Sequence, residues 1–159
     1  MLPLAWTAQR FSFHGMHFDA RDVIIQPKPT QDPIPIWIGG NSKLTRRRVA
    51  ARAQGWMPFQ VSGEMAKTTR TPALEGLSDV RDQIAEVREQ AGERASEIEI
   101  ALAYNDLTIH QPTVDVARHR DAFAELAAIG VDWIAVTAEP GAPSALIEFT
   151  EAFGESYCR

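Results

Sequence analysis

Gly39, Gly40, Asn41 and Ser42 are the residues of this chain whose types and spacing best support chemistry, and that chemistry is anion binding. They follow Pro33-Ile34-Pro35-Ile36-Trp37-Ile38, which reads as a short buried strand, and they lead straight into a helix-forming run. At the glycines no Cβ blocks a ligand, and the first N–H groups of the following helix are unpaired and carry the positive end of its dipole. Phosphate suits such a junction best. A tight strand-to-helix connection also needs small residues, and two glycines alone do not separate the two readings. The basic run Lys43, Arg46, Arg47, Arg48 and Arg52 adds positive charge. Most of these side chains belong in solvent on the outer helix face, with Arg46 and Arg47 the candidates to reach an anion.

Other groups offer less. His14, His17, His110 and His119 make no metal-binding spacing with Asp or Glu, and the 14/17 pair falls in an expected hairpin with no third ligand, so no metal is expected. Asp106 and His110 lie on an expected ligand-side loop, but polar loop residues are commonly solvated or capping, and no catalytic base is assigned. Ser42 and Ser144 lack the Gly-x-Ser-x-Gly setting of a serine hydrolase. Trp37, Trp56 and Trp133 sit in expected strands, where core packing accounts for them more economically than cofactor stacking.

The elements that would position these residues alternate. Phe11, Phe13, Phe18, Val23 and Ile25 suggest a hairpin or two extended arms, and Pro27, Pro29, Pro33 and Pro35 keep the chain extended up to residue 36. A strand at 36–38, a helix over 42–54 capped by Gly55, and a short strand at 56–59 follow. Residues 60–73 read as a loop carrying Lys67 and Arg70. Leu77, Val80, Ile84, Val87 and Ala91 then trace one helical face that Gly92 stops. A strand at 97–104 precedes a helix with Val116, Phe123, Leu126 and Ala127 facing inward. A strand over 131–137, covered on both faces, precedes a last helix from Pro143 to about residue 153. Four core strands, each followed by a helix, indicate an α/β fold with a parallel sheet. Right-handed crossovers would bring Gly39-Gly40, the end of the strand at Met57 to Phe59, Asn105-Asp106 and residues 137–139 to one ligand-binding rim.

The 159 residues suit one domain, with residues 1–32 as an extended arm and 33–159 as βα units. A formal net charge of −5 gives no reason to expect nucleic acid or an anionic membrane as partner. No run of about 18 apolar residues suggests a span, and the first residues are too short for a signal sequence. The single cysteine, Cys158, makes a reducing cytoplasmic setting the expectation.

The stretch from Pro33 to Ser42, followed by Arg47-Arg48-Val49-Ala50-Ala51-Arg52-Ala53-Gln54-Gly55-Trp56, resembles the bacterial luciferase-like monooxygenase superfamily. The resemblance extends upstream through Trp6, Phe13, Gly15 and Phe18 and downstream through Gly130-Val131-Asp132-Trp133, and it is to the C-terminal half of the family's chains. It implies the C-terminal part of a (β/α)8 TIM barrel, about four βα units preceded by a hairpin-like arm, where a whole barrel needs about 250 residues. It implies an oxidoreductase that uses coenzyme F-420, or alternatively FMN, for hydride transfer or monooxygenation of a small organic substrate. The phosphate would be held at Gly39, Gly40, Asn41 and Ser42, with Met57 and Phe59 against the same group. Gln54 departs from the aspartate usual in the family at that turn. The family's candidate acid–base residues lie in the half without counterpart here, so the catalytic residues stay unassigned. Two other expectations remain open: a non-catalytic half-barrel that assembles with a second copy or a complementary N-terminal half, or a truncated gene product, and a small doubly wound nucleotide-binding domain with helices on both sheet faces.

Overall fold

The computed structural model describes residues 2–7, 9–69, 71–139 and 141–158. The chain divides into two compact units, Met1–Pro35 and Ile36–Arg159. In the first, a short helix α1 (Leu2–Ala5) precedes the antiparallel pair β1 (Phe11–His14) and β2 (Asp19–Val23). The hairpin expected from the alternating apolar residues is present. Phe11 and Phe13 are its half-buried positions on β1, with Ser12 and His14 exposed between them.

The second unit is built on β3 (Trp37–Gly39), β4 (Gly55–Met57), β5 (Glu99–Ala103) and β6 (Trp133–Ala135), which form a parallel sheet in the order β3-β4-β5-β6. Its helices are α2 (Lys43–Arg52), α3 (Gly63–Thr69), α4 (Leu77–Ala91), α5 (Val116–Ala128) and α6 (Pro143–Tyr157). Sequential strand order with right-handed crossovers puts every crossover on one side of the sheet. The core agrees: Trp56, Ile98, Ile100 and Leu102 from one sheet face pack with Val49 and Ala53 of α2, Val80, Ile84 and Val87 of α4, and Leu126 of α5. This singly wound order is that of a segment of a (β/α)8 barrel, and it has no switch point, which overturns the doubly wound alternative.

The other sheet face carries Trp37, Met57, Glu99, Ala101, Ala103, Trp133 and Ala135, because registered parallel partners share a face. On this face Trp133 is 57% and Met57 45% exposed. The expectation that β6 would be covered on both faces is therefore wrong. Ile134 packs against the core, while Trp133 and Ala135 lie in the lumen-facing row, with the Trp133 indole N–H donating to Glu99 at 3.1 Å.

Local chemistry explains the boundaries. Ser42 caps α2 by accepting the Thr45 N–H at 3.0 Å. At the other end the helix closes at Ala53, whose carbonyl, with that of Ala50, accepts from the Arg94 guanidinium at 2.8 and 2.9 Å. Gly55 is therefore not a helix cap. It opens β4, where a Cβ would stand 2.1 Å from the Trp37 ring, so that ring occupies the space a side chain would need. Gln54 ties the start of the same turn by accepting the Ile36 N–H at 3.0 Å. α4 begins where Asp79 accepts from the Gly76 N–H at 3.2 Å and ends at Gly92, whose φ of +58° favours glycine. Residues 60–73 are not all loop: α3 lies within them, too short and polar for a periodic signal. Arg70 lies outside the described residues.

Candidate functional site

Parallel register aligns the strand ends. Gly39 pairs with Met57 and Ala103 with Ala135, so the turns after β3, β4, β5 and β6 leave the same edge of the sheet. The expected rim is there, and its most organised part is the turn from Gly40 to Ser42.

Gly40 has a φ of +112°, and a Cβ there would also meet the Thr45 hydroxyl at 3.3 Å. Its N–H donates to the Met57 carbonyl at 3.2 Å and its carbonyl accepts from the Trp56 indole N–H at 2.9 Å. Asn41 is fully buried. Its side-chain amide donates to the carbonyls of Phe59 and Pro72, at 2.8 and 3.2 Å, and accepts the Phe59 N–H at 3.0 Å. The turn after β3, the turn after β4 and the approach to α4 are thus joined by one amide. Of the six residues singled out at this rim, Gly40 is hydrogen-bonded to Met57 and Asn41 to Phe59. Gly39 lies beside Met57 in the ladder and Ser42 caps α2. Met57 and Phe59 each expose nearly half of their surface.

The basic run behaves differently from the expectation that Arg46 could reach an anion. Arg46 points into the protein: it donates to the Asn41 carbonyl and to Gln83 at 3.1 Å, and pairs with Glu86 of α4 at 2.8 Å. Arg47, Arg48, Arg52 and Lys43 are exposed.

A second polar cluster lies where β5 meets α5. His119, fully buried, faces the Tyr104 hydroxyl at 2.7 Å through Nδ1 and Thr108 at 3.3 Å through Nε2. Thr108 contacts Asp106 at 2.6 Å and Arg118 at 2.6 Å, and Arg118 is ion-paired to Asp106. Hydrogen bonds from Arg118 and then Thr108 hold the Asp106 carboxyl far below the usual carboxylate range. Asp106 is therefore a fixed anion rather than a proton acceptor at neutral pH. Burial raises the Tyr104 phenol, with the Asp106 charge adding to it. Sequence reasoning missed His119 as a buried group. Its position one turn before Phe123 on the inward face of α5 was the available signal, whereas Ala127, expected to face inward, is exposed.

The donors present at the Gly40–Ser42 turn fit a phosphate. The N–H groups of Asn41 and Ser42 have no partner among the described residues, those of Lys43 and Leu44 are first-turn donors without intrahelical acceptors, and the capping side chain is a hydroxyl, not a carboxylate. No helix of the described residues is long and apolar enough to cross a membrane.

The family model described as luciferase-like monooxygenase matches residues 1–129. An FMNH(2)-dependent dimethylsulfone monooxygenase from Pseudomonas putida is 28% identical over 113 residues, covering 71% of this chain and 27% of that protein. Among solved structures, a coenzyme F-420-dependent tetrahydromethanopterin reductase from Methanopyrus kandleri aligns over 98% of this chain and 52% of its own at 12% identity, with a TM-score of 0.47. An F-420-dependent secondary alcohol dehydrogenase aligns over 96% of this chain and 49% of its own at 15% identity, with a TM-score of 0.43. The chain thus spans about a quarter of the first relative and about half of the two solved structures. With a match over residues 1–129 of 159, the chain belongs to the luciferase-like monooxygenase family.

Proposed function

We propose that this chain supplies the cofactor-phosphate site and part of the barrel wall of a luciferase-like oxidoreductase that works with a reduced flavin or deazaflavin, coenzyme F-420 or FMN, on a small organic substrate. The observation that carries this reading is the Gly40–Ser42 turn, with two unpartnered backbone N–H groups and a serine-capped helix start at the strand-end rim. Asn41 and Ser42 would donate to the phosphate, Gly39 would leave room for its approach, and Met57 and Phe59 would line the same side. The cofactor would supply the hydride or the reduced ring for oxygen chemistry. The chain's own part is to bind and orient the phosphate end, and no side chain of the rim is assigned a proton-transfer role. Fluorescence titration with F-420 and with FMN tests the proposal and separates the two cofactors. Absence of binding by both removes it.

A second reading rests on the open sheet face. The sheet ends at β3 and β6, and Trp133, Met57 and Phe59 are 57%, 45% and 48% exposed. Four parallel strands whose two edges are unpaired among the described residues suit closure by a second copy of the chain, β6 of one beside β3 of the other. Light scattering of the purified chain is expected to give twice the mass of one chain. A monomer at all concentrations, unfolding cooperatively, would reject closure by a second copy.

A further inference from the structure

Two trans peptides make the Gly40–Ser42 turn, and the carbonyl of each accepts from a buried donor. The only cis bonds among the described residues precede Pro27 and Pro33, so the peptides Gly40–Asn41 and Asn41–Ser42 are trans. In a trans peptide the carbonyl of one residue and the N–H of the next point in opposite directions. The Gly40 carbonyl is held by the indole N–H of Trp56, a residue with no exposed surface, at 2.9 Å. The Asn41 carbonyl is held by the guanidinium of Arg46, which is 5% exposed. Drawing both carbonyls inward turns the N–H groups of Asn41 and Ser42 away from the core.

We infer that Trp56 and Arg46 are positioning residues of the phosphate site, Trp56 setting the Asn41 N–H and Arg46 setting the Ser42 N–H. This rests on the cofactor-phosphate reading above and adds to it the groups that aim the donors. Arg46 acts here through geometry. Its charge is already met by Glu86 at 2.8 Å, and its remaining polar reach goes to Gln83 at 3.1 Å. Its Nε is buried without a partner, so the side chain is not placed to satisfy all of its own donors. A structure that needed only a buried ion pair between α2 and α4 would not require the Asn41 carbonyl contact. Trp56 shows the same division of labour: its ring fills the core between the sheet and the helices, and only its N–H reaches the turn.

The test uses the full chain, inorganic phosphate as probe, and amide-resolved NMR. In the wild type, phosphate is expected to shift the Asn41 and Ser42 amide signals together. Trp56→Phe keeps an aromatic ring in the core and removes the N–H donor. It should weaken phosphate binding about tenfold and diminish the Asn41 response more than the Ser42 response. Arg46→Met keeps the apolar stem and should diminish the Ser42 response more. Thermal unfolding of each variant confirms that it is folded at the temperature of the titration, and Trp56→Phe alone carries the test if Arg46→Met does not fold. A merely structural role would not sort the two amides between the two variants. If the folded variants bind phosphate as the wild type does, with both amides shifting equally, the positioning roles are overturned while the phosphate site stands. If phosphate moves neither amide in the wild type, the site and the positioning roles fall together.

Discussion

Replacing Asn41 probes the centre of the rim. The side chain is fully buried and makes three hydrogen bonds, to the Phe59 carbonyl, the Pro72 carbonyl and the Phe59 N–H. Asn41→Ala removes all three and leaves main-chain groups without partners. At about 1 kcal/mol net for each bond, the expected loss is about 3 kcal/mol. For a domain of this size that corresponds to a melting temperature lower by about 6–12 °C. Asn41→Asp is nearly isosteric, yet it sets an acceptor against two carbonyls where the amide had offered a donor. It should therefore destabilise more than Asn41→Ala at neutral pH. The introduced carboxyl, facing acceptors, is protonated more readily folded than unfolded. The penalty of Asn41→Asp should thus be smallest below about pH 4, where both states carry the proton, and grow as the pH rises through the raised folded value. Urea unfolding followed by circular dichroism at several pH values measures both variants. A loss below about 1 kcal/mol for Asn41→Ala, or equal effects of the two substitutions at pH 7, would refute the reasoning.

Three further outcomes follow from the packing and the charge pairs. Gly55→Ala should cost about 1–3 kcal/mol through its clash with the Trp37 ring 2.1 Å away, and little of that should remain in the Trp37→Ala background, as a double-mutant cycle in urea will read. Ile100→Ala, at a position with no exposed surface in the middle of the sheet, should lose about 2–5 kcal/mol by the same assay. The depressed folded value of Asp106 means its pairing stabilises the protein above the unfolded carboxylate range near pH 4 and fades as the pH falls through the folded value. Arg118→Met should therefore lower the melting temperature at pH 7, and its difference from the wild type should shrink as the solution is acidified from pH 4 downward.

Where one residue property dominated, the sequence was enough. Val80, Ile84 and Val87 recur at helical spacing and are buried, so α4 was legible to its ends, with Gly92 at its stop. The glycine pair and Ser42 marked the strand-to-helix junction because few residue types serve a positive φ and an N-cap. What stayed hidden depends on partners distant in sequence. Gly55 looked like a helix cap, and only the Trp37 ring, 18 residues earlier, explains why it is glycine in a strand. Arg46 looked free to reach an anion because its partners Gln83 and Glu86 lie on another helix. The apolar run of β6 could not reveal that one of its faces leaves Trp133 exposed, since a lumen row and a core row have the same composition.

The Asn41 amide also bears on motion. By tying residue 41 to Phe59 and Pro72, it makes three separate stretches of chain open or stay closed as one cooperative unit, rather than fluctuating independently. Anything that holds residues 40–42 in place then lowers the frequency with which the neighbouring turns open, with no change in their average shape. Slower hydrogen exchange at the Phe59 amide in the presence of phosphate would report that linkage, at a site the anion need not touch.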